Sequence, residues 1–206
     1  MGSHVAAEGS PRRVHVVGGP GSGKSTLARR IGARLGVAVH HLDDVYRVGG
    51  GTGALRSELE RQAAVASILA ESGWVTEGVH LGWTEPFFES ADLLVWLDTV
   101  GWQGASRRMT RRFAARPGEG VESTDAPATR TLRRRGVDGA QHARDLVGAV
   151  LGSRIYYRRA TGTANLPETR AATAERIARH PGRVVHCRTD ADIEALLAVL
   201  STRRDP

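Results

Sequence analysis

One eight-residue stretch constrains this chain more than any other feature of its sequence. It runs Gly18-Gly19-Pro20-Gly21-Ser22-Gly23-Lys24-Ser25 and matches the pattern G-x-x-x-x-G-K-S/T in full. Residues 12–17, directly before it, turn apolar as a buried strand does, and an apolar helical spacing begins directly after it. A strand, a glycine loop and a helix in this order form a cradle whose backbone N–H groups bind phosphate. Four loop residues are expected to line that cradle: Gly19, Gly21, Ser22 and Gly23.

The residues that close the motif suit a magnesium nucleotide. Lys24 is expected to reach the β- and γ-phosphates of ATP, the Ser25 hydroxyl to bind Mg²⁺, and Thr26 to contact the α-phosphate. The chain has 29 lysine and arginine residues, and Lys24 is the only lysine among them. The only lysine therefore lies at a position for which a flexible ammonium is suited and a planar guanidinium is not. The pattern predicts an ATP and magnesium site.

Strands and helices alternate along the rest of the sequence. Apolar runs predict four further strands, at 37–42, 74–77, 92–97 and 183–187. This alternation is typical of an α/β fold with a parallel sheet covered by helices on both faces. We expect a single domain over residues 12–200, with an acceptor-binding segment at 45–73 and a mobile lid at 107–140. Residues 1–11 are interpreted as a tag remnant and a disordered N-terminus.

Composition argues against several classes of protein. The single cysteine, Cys187, cannot form an internal disulfide and fits a reducing, cytoplasmic setting. No apolar run reaches the roughly 20 residues that a membrane helix needs, and no signal peptide is evident. The formal net charge of +7 suggests nucleic acid, but the arginines gather within 107–135, and no helix-turn-helix or zinc motif is present. A small-molecule partner is therefore expected rather than nucleic acid or a membrane, and the oligomeric state stays open.

Two acidic residues follow the second predicted strand. Asp43 and Asp44 would lie at the carboxyl edge of the sheet, where ligands of open α/β folds bind. On this interpretation Asp43 is the base or anchor for a phosphoryl acceptor, with Asp44 beside it. The alternative is a pair of aspartates that initiates a turn. Near the same edge, His80 is interpreted as part of a polar pocket wall and Trp83 as a contact for an acceptor ring.

Four arginines crowd one helix between residues 107 and 112. Arg107 and Arg111 are four residues apart and are expected to close over the γ-phosphate and neutralise charge during transfer. A solvated helix face is the alternative, although neighbouring cations repel one another without an anion between them. Asp98 follows the strand sequence DLLVWL and is interpreted either as a magnesium-binding acid or as a structural cap.

In their order and spacing, four stretches resemble one known family: VVGGPGSGKSTLARRIGARLGVAVHHLD, WVTEGVHLGW, ADLLVWLDTVGWQGASRRMTRRF and RVVHCRTDADIEALLAVL. The chain is similar to the adenylate-kinase-like P-loop kinases known as DNA topology modulation (FlaR-related) proteins, over most of residues 12–115 and 183–200. The resemblance implies a three-layer nucleoside-kinase-like fold whose five parallel strands run in the order 2-3-1-4-5, with mobile acceptor and lid segments. It also implies that Arg188 lies near the adenine, and it favours Arg107 and Arg111 within the arginine cluster.

One segment departs from the nucleoside monophosphate kinases of this general type. They carry Asp-Gly-Phe-Pro-Arg after the third strand, and the arginine grips the acceptor phosphate, whereas this chain has Glu77-Gly78-Val79-His80-Leu81. Glu77 retains the acid and is suited to hold a magnesium-bound water. The arginine is missing, and Arg47 or Arg56 from the acceptor-binding segment is the candidate to replace it.

The sequence as a whole favours an ATP-dependent kinase that transfers the γ-phosphoryl group to a hydroxyl of a small molecule, such as a nucleoside, a sugar or an antibiotic-like compound. A nucleoside monophosphate kinase is the first alternative, and the missing arginine argues against it. A nucleotide-dependent DNA-binding regulator is the second alternative, prompted by the net charge and by the name of the family.

Overall fold

The computed structural model describes residues 10–48, 53–114, 139–160 and 168–201. Within them one parallel sheet contains five strands: β1 (Arg13–Gly18), β2 (Ala38–His41), β3 (Trp74–Gly78), β4 (Leu93–Leu97) and β5 (Arg183–Cys187). Their order across the sheet is β2-β3-β1-β4-β5, and every neighbouring pair is parallel. The α/β fold predicted from the sequence and the strand order implied by the family resemblance are confirmed.

The described part of the chain has eight helices: α1 (Lys24–Leu35), α2 (Leu42–Tyr46), α3 (Glu58–Leu69), α4 (Glu85–Ser90), α5 (Trp102–Ala114), α6 (Gly139–Arg158), α7 (Arg170–Ala178) and α8 (Asp190–Ser201). α1 starts immediately after the glycine loop. α3 begins at a capping box in which the side chains of Ser57 and Glu60 each bond the other's backbone N–H. α2 and α4 were not predicted, because helices of five and six residues are too short to show an apolar period.

Alternate residues of the central strands pack on opposite faces of the sheet. In β1, Val14 and Val16 belong to a buried cluster with residues of α1 and α8, whereas Val17 belongs to a cluster with residues of α4 and α7. A third cluster packs α2, α3 and α4 around Trp74 of β3. Helices therefore cover both faces of the sheet, as the apolar sequence of its central strands requires.

Parallel pairing brings the carboxyl ends of the strands to one edge of the sheet. The register places His41 beside Glu77, and Gly18 beside Leu97. The glycine loop leaves β1 at this edge, between the ends of β3 and β4. Side chains at the ends of β2 and β3 therefore lie next to the loop, which is the arrangement that ligand sites of open α/β sheets use.

Two expectations differ from the structure or fall outside it. Asp43 and Asp44 do not end a strand but lie in the first turn of α2. Of the expected lid, residues 107–114 belong to α5 and residues 139–140 to α6, while 115–138 lie outside the described residues. Among the described helices, none combines the length and the apolar character needed to cross a membrane.

Candidate active site

The glycine loop turns tightly because two helices pack against it. Gly21 has a φ of 74°, in the left-handed region, and a Cβ at this residue would lie 2.8 Å from the carbonyl oxygen of Ala105 in α5. A Cβ on Gly19 would lie 2.5 Å from ring atoms or the hydroxyl of Tyr156 and Tyr157 in α6. Only glycine fits at Gly21 without a backbone shift, since the opposing atom is itself backbone.

Hydrogen bonds from the same two helices fasten the loop. Arg108 in α5 donates from Nη1 to the carbonyl oxygen of Ser22 at 3.0 Å. Tyr157 in α6 donates from its hydroxyl to the carbonyl oxygen of Pro20 at 3.2 Å. Two loop carbonyls thus have donors outside the loop, which suits a loop whose own N–H groups bind an anion.

A buried carboxylate, that of Glu77, lies near the end of β3 and contacts the first turn of α1. The side chain of Glu77 is 8% exposed, and its Oε1 accepts hydrogen bonds from the Ser25 hydroxyl (2.8 Å) and from Nδ1 of His41 (2.7 Å). Burial raises the pKa of Glu77, but the bonds from His41 and Ser25 and the charge of Lys24 outweigh it, so the pKa lies below the ordinary 4.5. In turn, the hydrogen bond to Glu77 holds the pKa of His41 above its ordinary 6.5.

A second carboxylate lies beside the first. Oδ1 of Asp43 is 2.9 Å from Nε2 of His80, and the Asp43 side chain is 72% exposed. The hydrogen bond from His80, aided by the charges of His80, Lys24 and His41, holds the pKa of Asp43 below its ordinary 3.8. Asp43 is therefore an ionised, solvent-facing acceptor. Asp44 is also exposed.

Lys24 connects these two carboxylates to the loop. Its Nζ donates to the carbonyl oxygen of Gly19 at 3.1 Å. Its charge contributes to the low pKa of both Glu77 and Asp43, after the larger contributions given above. The ammonium therefore lies within electrostatic range of both acids. The structure brings the predicted residues Lys24, Ser25, Asp43, Glu77 and His80 together at one sheet edge.

An aromatic cluster adjoins the Asp43 side of this centre. The ring of His80 lies 5.1 Å from that of Tyr46 and 5.4 Å from that of Trp83, measured between centroids. The guanidinium carbon of Arg61 lies 5.7 Å from the Tyr46 ring and 5.6 Å from the Trp83 ring. Cation–π contacts of this length are favourable, and Arg61 makes them while half-buried.

The two arginines predicted to replace the missing one contact backbone instead. Arg47 donates from Nη1 to the carbonyl oxygen of Gly53 at 2.8 Å, and Arg56 donates from Nε to that of Asp44 at 3.4 Å. The bond from Arg47 lies within the acceptor-binding segment, and the bond from Arg56 joins that segment to α2. The guanidinium carbon of Arg47 also lies 5.6 Å from the centroid of the Tyr46 ring, so Arg47 packs on the aromatic cluster together with Arg61, which the sequence did not suggest.

Asp98 forms an ion pair with Arg170. Its carboxylate, 4% exposed, accepts from Nε (2.9 Å) and Nη2 (2.6 Å) of Arg170, and Nε2 of His186 is 3.3 Å away. Trp102 and Tyr157 line the same cleft, which has a volume of about 660 Å³. The described contacts thus favour the structural interpretation of Asp98, and Glu77 is the acid that contacts Ser25.

Other predicted residues lie at the periphery. Arg107 and Arg111 are exposed on α5, and their neighbour Arg108 is the one that bonds the loop. Thr26 is exposed in the first turn of α1, and Arg188 is exposed after β5. None of the contacts described for Arg188 joins it to the glycine loop. The adenine contact that the family resemblance implies for Arg188 stays a prediction.

Sequence reasoning missed four side chains at the site: Tyr46, Arg61, Tyr157 and Glu168. It included Arg108 in the arginine cluster and assigned no partner to His41. His41 had a usable signal, because it ends a predicted strand at the ligand-binding edge. Tyr157 and Glu168 had none, since their partners lie 137 and 88 residues away in the chain.

No protein-family model matches the chain, and no curated protein matches it in sequence. The resemblance to FlaR-related proteins therefore stays a prediction. Similar solved structures include a sugar kinase from a Janibacter species, with 16% identity, TM-score 0.45, and 91% of this chain and 92% of that chain covered. Shikimate kinase from Acinetobacter baumannii has 17% identity and a TM-score of 0.44, with 93% of this chain and 94% of that chain covered. A gluconokinase from Sinorhizobium meliloti has 14% identity and a TM-score of 0.42, with 95% of this chain and 96% of that chain covered. Similarities of this size show neither activity nor substrate.

Proposed function

We propose that this chain is an ATP- and magnesium-dependent kinase that transfers the γ-phosphoryl group to a hydroxyl of a small molecule. One observation carries the proposal: the glycine loop, its lysine and two ionised carboxylates meet at a single sheet edge. The Glu77 carboxylate accepts a hydrogen bond from Ser25. The exposed Asp43 carboxylate lies within electrostatic range of the Lys24 ammonium. A phosphate-binding loop needs only the lysine, whereas a transferase also needs an acid aimed at the acceptor.

The residues around Ser25 fit a magnesium ion. A serine hydroxyl and an ionised carboxylate within 2.8 Å of each other are hard oxygen donors, which Mg²⁺ prefers. The described residues include no group of three or more His, Cys, Asp or Glu side chains that could hold a metal alone. Mg²⁺ in phosphoryl transfer binds one or two protein oxygens and takes its other ligands from phosphates and water. When bound with ATP, the ion neutralises charge on the β- and γ-phosphates.

Residues of the chain bind the phosphates, orient the acceptor and neutralise charge during transfer. The N–H groups of the loop and the ammonium of Lys24 bind the phosphates and hold the γ-phosphoryl group in line. Asp43 accepts a hydrogen bond from the acceptor hydroxyl and orients its oxygen toward phosphorus. Arg107, Arg108 and Arg111 on α5 supply positive charge to the transferred phosphoryl group, as lid arginines do when they close.

A hydroxyl acceptor is favoured over a phosphate acceptor by the position of the arginines. A phosphate acceptor needs a bidentate cation in place before transfer. Arg47 and Arg56 each donate to a backbone carbonyl oxygen, and Arg47 also packs on the Tyr46 ring, so part of each guanidinium is already engaged. The acid that faces solvent, Asp43, would repel an incoming phosphate but accepts a bond from a hydroxyl.

The proposal is tested by measuring ADP formation and phosphorylated product with Mg-ATP across nucleosides, sugars, aminoglycoside-like compounds and nucleotides. The Lys24→Ala variant serves as the control for contaminating kinases. We expect at least one hydroxyl compound to be phosphorylated, with turnover about 10²–10³-fold lower in the variant.

Two other results would replace the proposal. Transfer confined to nucleoside monophosphates would identify a nucleoside monophosphate kinase. No transfer, together with salt-sensitive binding of DNA, would identify a nucleotide-dependent DNA-binding regulator, because phosphate contacts weaken as salt rises.

A further inference from the structure

His80 lies between two carboxylates that come from distant parts of the chain. Its Nε2 is 2.9 Å from Oδ1 of Asp43, and its Nδ1 is 3.9 Å from Oε1 of Glu168. The side chains of His80 and Glu168 are 17% and 15% exposed, whereas that of Asp43 is 72% exposed. The three groups thus run from a shielded acid through an imidazole to a solvent-facing acid.

Buried threonines fix the backbone at His80 and next to Glu168. Thr84 is fully buried, and its hydroxyl donates to the carbonyl oxygen of His80. Thr169 is also fully buried and caps α7 by accepting from the N–H of Ala172 at 3.0 Å, which anchors the residue next to Glu168. A histidine that only filled space at a surface would need neither anchor.

The direction of the hydrogen bond follows from the chemistry of the acid. Asp43 is ionised at neutral pH, and an ionised carboxylate can only accept. The Nε2 atom of His80 must therefore carry the proton and donate it. The tautomer is thus fixed by Asp43, and the ring packs against the rings of Tyr46 and Trp83. Oε1 of Glu168 is 3.9 Å from Nδ1, which is beyond hydrogen-bond distance.

We propose that His80, packed against Tyr46 and Trp83, is a positioning residue that orients Asp43 toward the acceptor hydroxyl. The proposal rests on the proposed function, in which Asp43 meets the acceptor. One Asp43 oxygen is held by His80, which leaves the other directed at the acceptor.

In the transfer step, the acceptor O–H bond breaks as its oxygen forms the new bond to phosphorus. The bond from phosphorus to the bridging oxygen of ADP breaks, and the proton passes to Asp43. His80 keeps its own proton throughout. Without His80, the exposed Asp43 side chain would sample several rotamers, and only a fraction of them would meet the hydroxyl.

The charges that face Asp43 come from several elements and must all be considered in a pH experiment. Lys24 of α1, His41 of β2 and His80 after β3 are cationic or can become so, and Asp44 lies next to it in α2. Glu168 faces His80 from the residue before the cap of α7. Only substitutions at His80 and Glu168 alter the proposed row without touching the phosphate loop.

The experiment compares His80→Ala, His80→Gln and Glu168→Gln, with His40→Gln as the matched control. His40 bonds Glu71 and lies outside the site. With the acceptor found in the compound panel, we expect His80→Ala to lower kcat about tenfold while the KM for ATP stays within about twofold. His80→Gln should recover most of the loss, because its amide nitrogen can donate to Asp43 in place of Nε2. Glu168→Gln changes a group that is beyond hydrogen-bond distance of Nδ1, so it should change kcat by less than about twofold, and the control should change it not at all.

The pH profile separates positioning from a merely structural role. His80 lowers the pKa of Asp43, so its removal should move the acidic limb of kcat/KM for the acceptor to higher pH. The same shift should be visible without any acceptor, in a ¹³C NMR titration of the Asp43 carboxyl group. This second readout remains valid if the chain proves not to be a kinase.

Three results would overturn the proposal. An Asp43 carboxyl group that titrates identically in wild type and in folded His80→Ala would show that the two groups are not coupled. A loss of kcat that His80→Gln does not relieve, or that His40→Gln reproduces, would show a structural role. Absence of transfer to every compound, with the Asp43 titration shifted as expected, would overturn the proposed function and leave only the coupling.

Discussion

The hydroxyl of Ser25 donates to Oε1 of Glu77 at 2.8 Å and so joins the first turn of α1 to the end of β3 across 52 residues. The same oxygen accepts from His41 at 2.7 Å. A buried carboxylate that accepts two hydrogen bonds is stable as an anion, and it fixes the position of the Ser25 hydroxyl at the end of the phosphate loop. This bond positions the residue that the loop motif assigns to magnesium.

We predict that Glu77→Gln weakens the dependence of the enzyme on magnesium. Glutamine can still accept from Ser25 but carries no charge, so the Mg²⁺ concentration for half-maximal activity should rise about 10- to 100-fold. Activity titrations with Mg²⁺ at fixed ATP measure this. Glu71→Gln, at an acid outside the site, is the control. An unchanged magnesium titration in Glu77→Gln would remove Glu77 from the metal site.

The His41–Glu77 pair should make stability depend on pH. The raised pKa of His41 gives stability that is complete below 6.5 and is lost as pH rises through the folded pKa. The lowered pKa of Glu77 gives stability that is present above 4.5 and is lost as pH falls through its folded pKa. The difference in unfolding free energy between wild type and His41→Asn should therefore be largest between pH 4.5 and 6.5.

Urea unfolding without nucleotide at pH 5.5 and at pH 9 checks this. The first pH lies inside the window between 4.5 and 6.5, about one unit from either limit, and the second lies well above it. His40→Asn controls for loss of a histidine from the same strand. If the difference in unfolding free energy between wild type and His41→Asn is the same at both pH values, the His41–Glu77 pair does not make stability depend on pH.

The central fold could be predicted because its signals are local. The glycine loop, the apolar strand before it and the helical spacing after it all lie within about 25 consecutive residues, and the strands further along are continuous apolar runs. Residues such as Lys24 and Ser25 follow from the motif alone. Glu77 could be proposed because the third strand ends at it, at the edge where the loop must open.

The remainder of the site depends on contacts that no local pattern encodes. Asp43 was expected at a strand end, but α2 begins one residue earlier, and a five-residue helix has no period to detect. Arg108 rather than Arg107 or Arg111 bonds the loop, because the rotation of α5 is set by the packing of Ala105 against Gly21. One residue of helix rotation is 100°, which spacing within a run of arginines cannot resolve.

Asp98→Asn separates the two interpretations of that acid. Loss of its charge leaves Arg170 without its carboxylate partner, so we expect a loss of about 1–2 kcal/mol in unfolding free energy, moderated because Arg170 is half exposed. The magnesium titration should be unchanged. Thermal or urea unfolding and the activity titration are measured on the same preparation. A shifted magnesium titration with unaltered stability would restore Asp98 as a magnesium-binding acid.

Gly21→Ala should damage the loop. The left-handed φ of 74° and the 2.8 Å approach to the Ala105 carbonyl oxygen both oppose a side chain, so we expect a loss of at least about 1 kcal/mol and weaker ATP binding. Gly148→Ala is the matched control: it lies in α6 with open space around its position and should stabilise by about 0.5–1 kcal/mol. Equal effects of the two substitutions would argue against tight packing of α5 on the loop.

The most direct test of the central claim uses the fact that Lys24 is the only lysine in the chain. An amine-acylating reagent can modify only Lys24 and the terminal amine, and mass spectrometry reads the two separately. Without nucleotide both should react. Mg-ATP should sharply reduce labelling at Lys24, because the β- and γ-phosphates bind its ammonium, while labelling of the terminal amine stays constant as an internal control. Equal labelling of Lys24 with and without saturating Mg-ATP would contradict a phosphate-binding loop, and with it the proposed kinase.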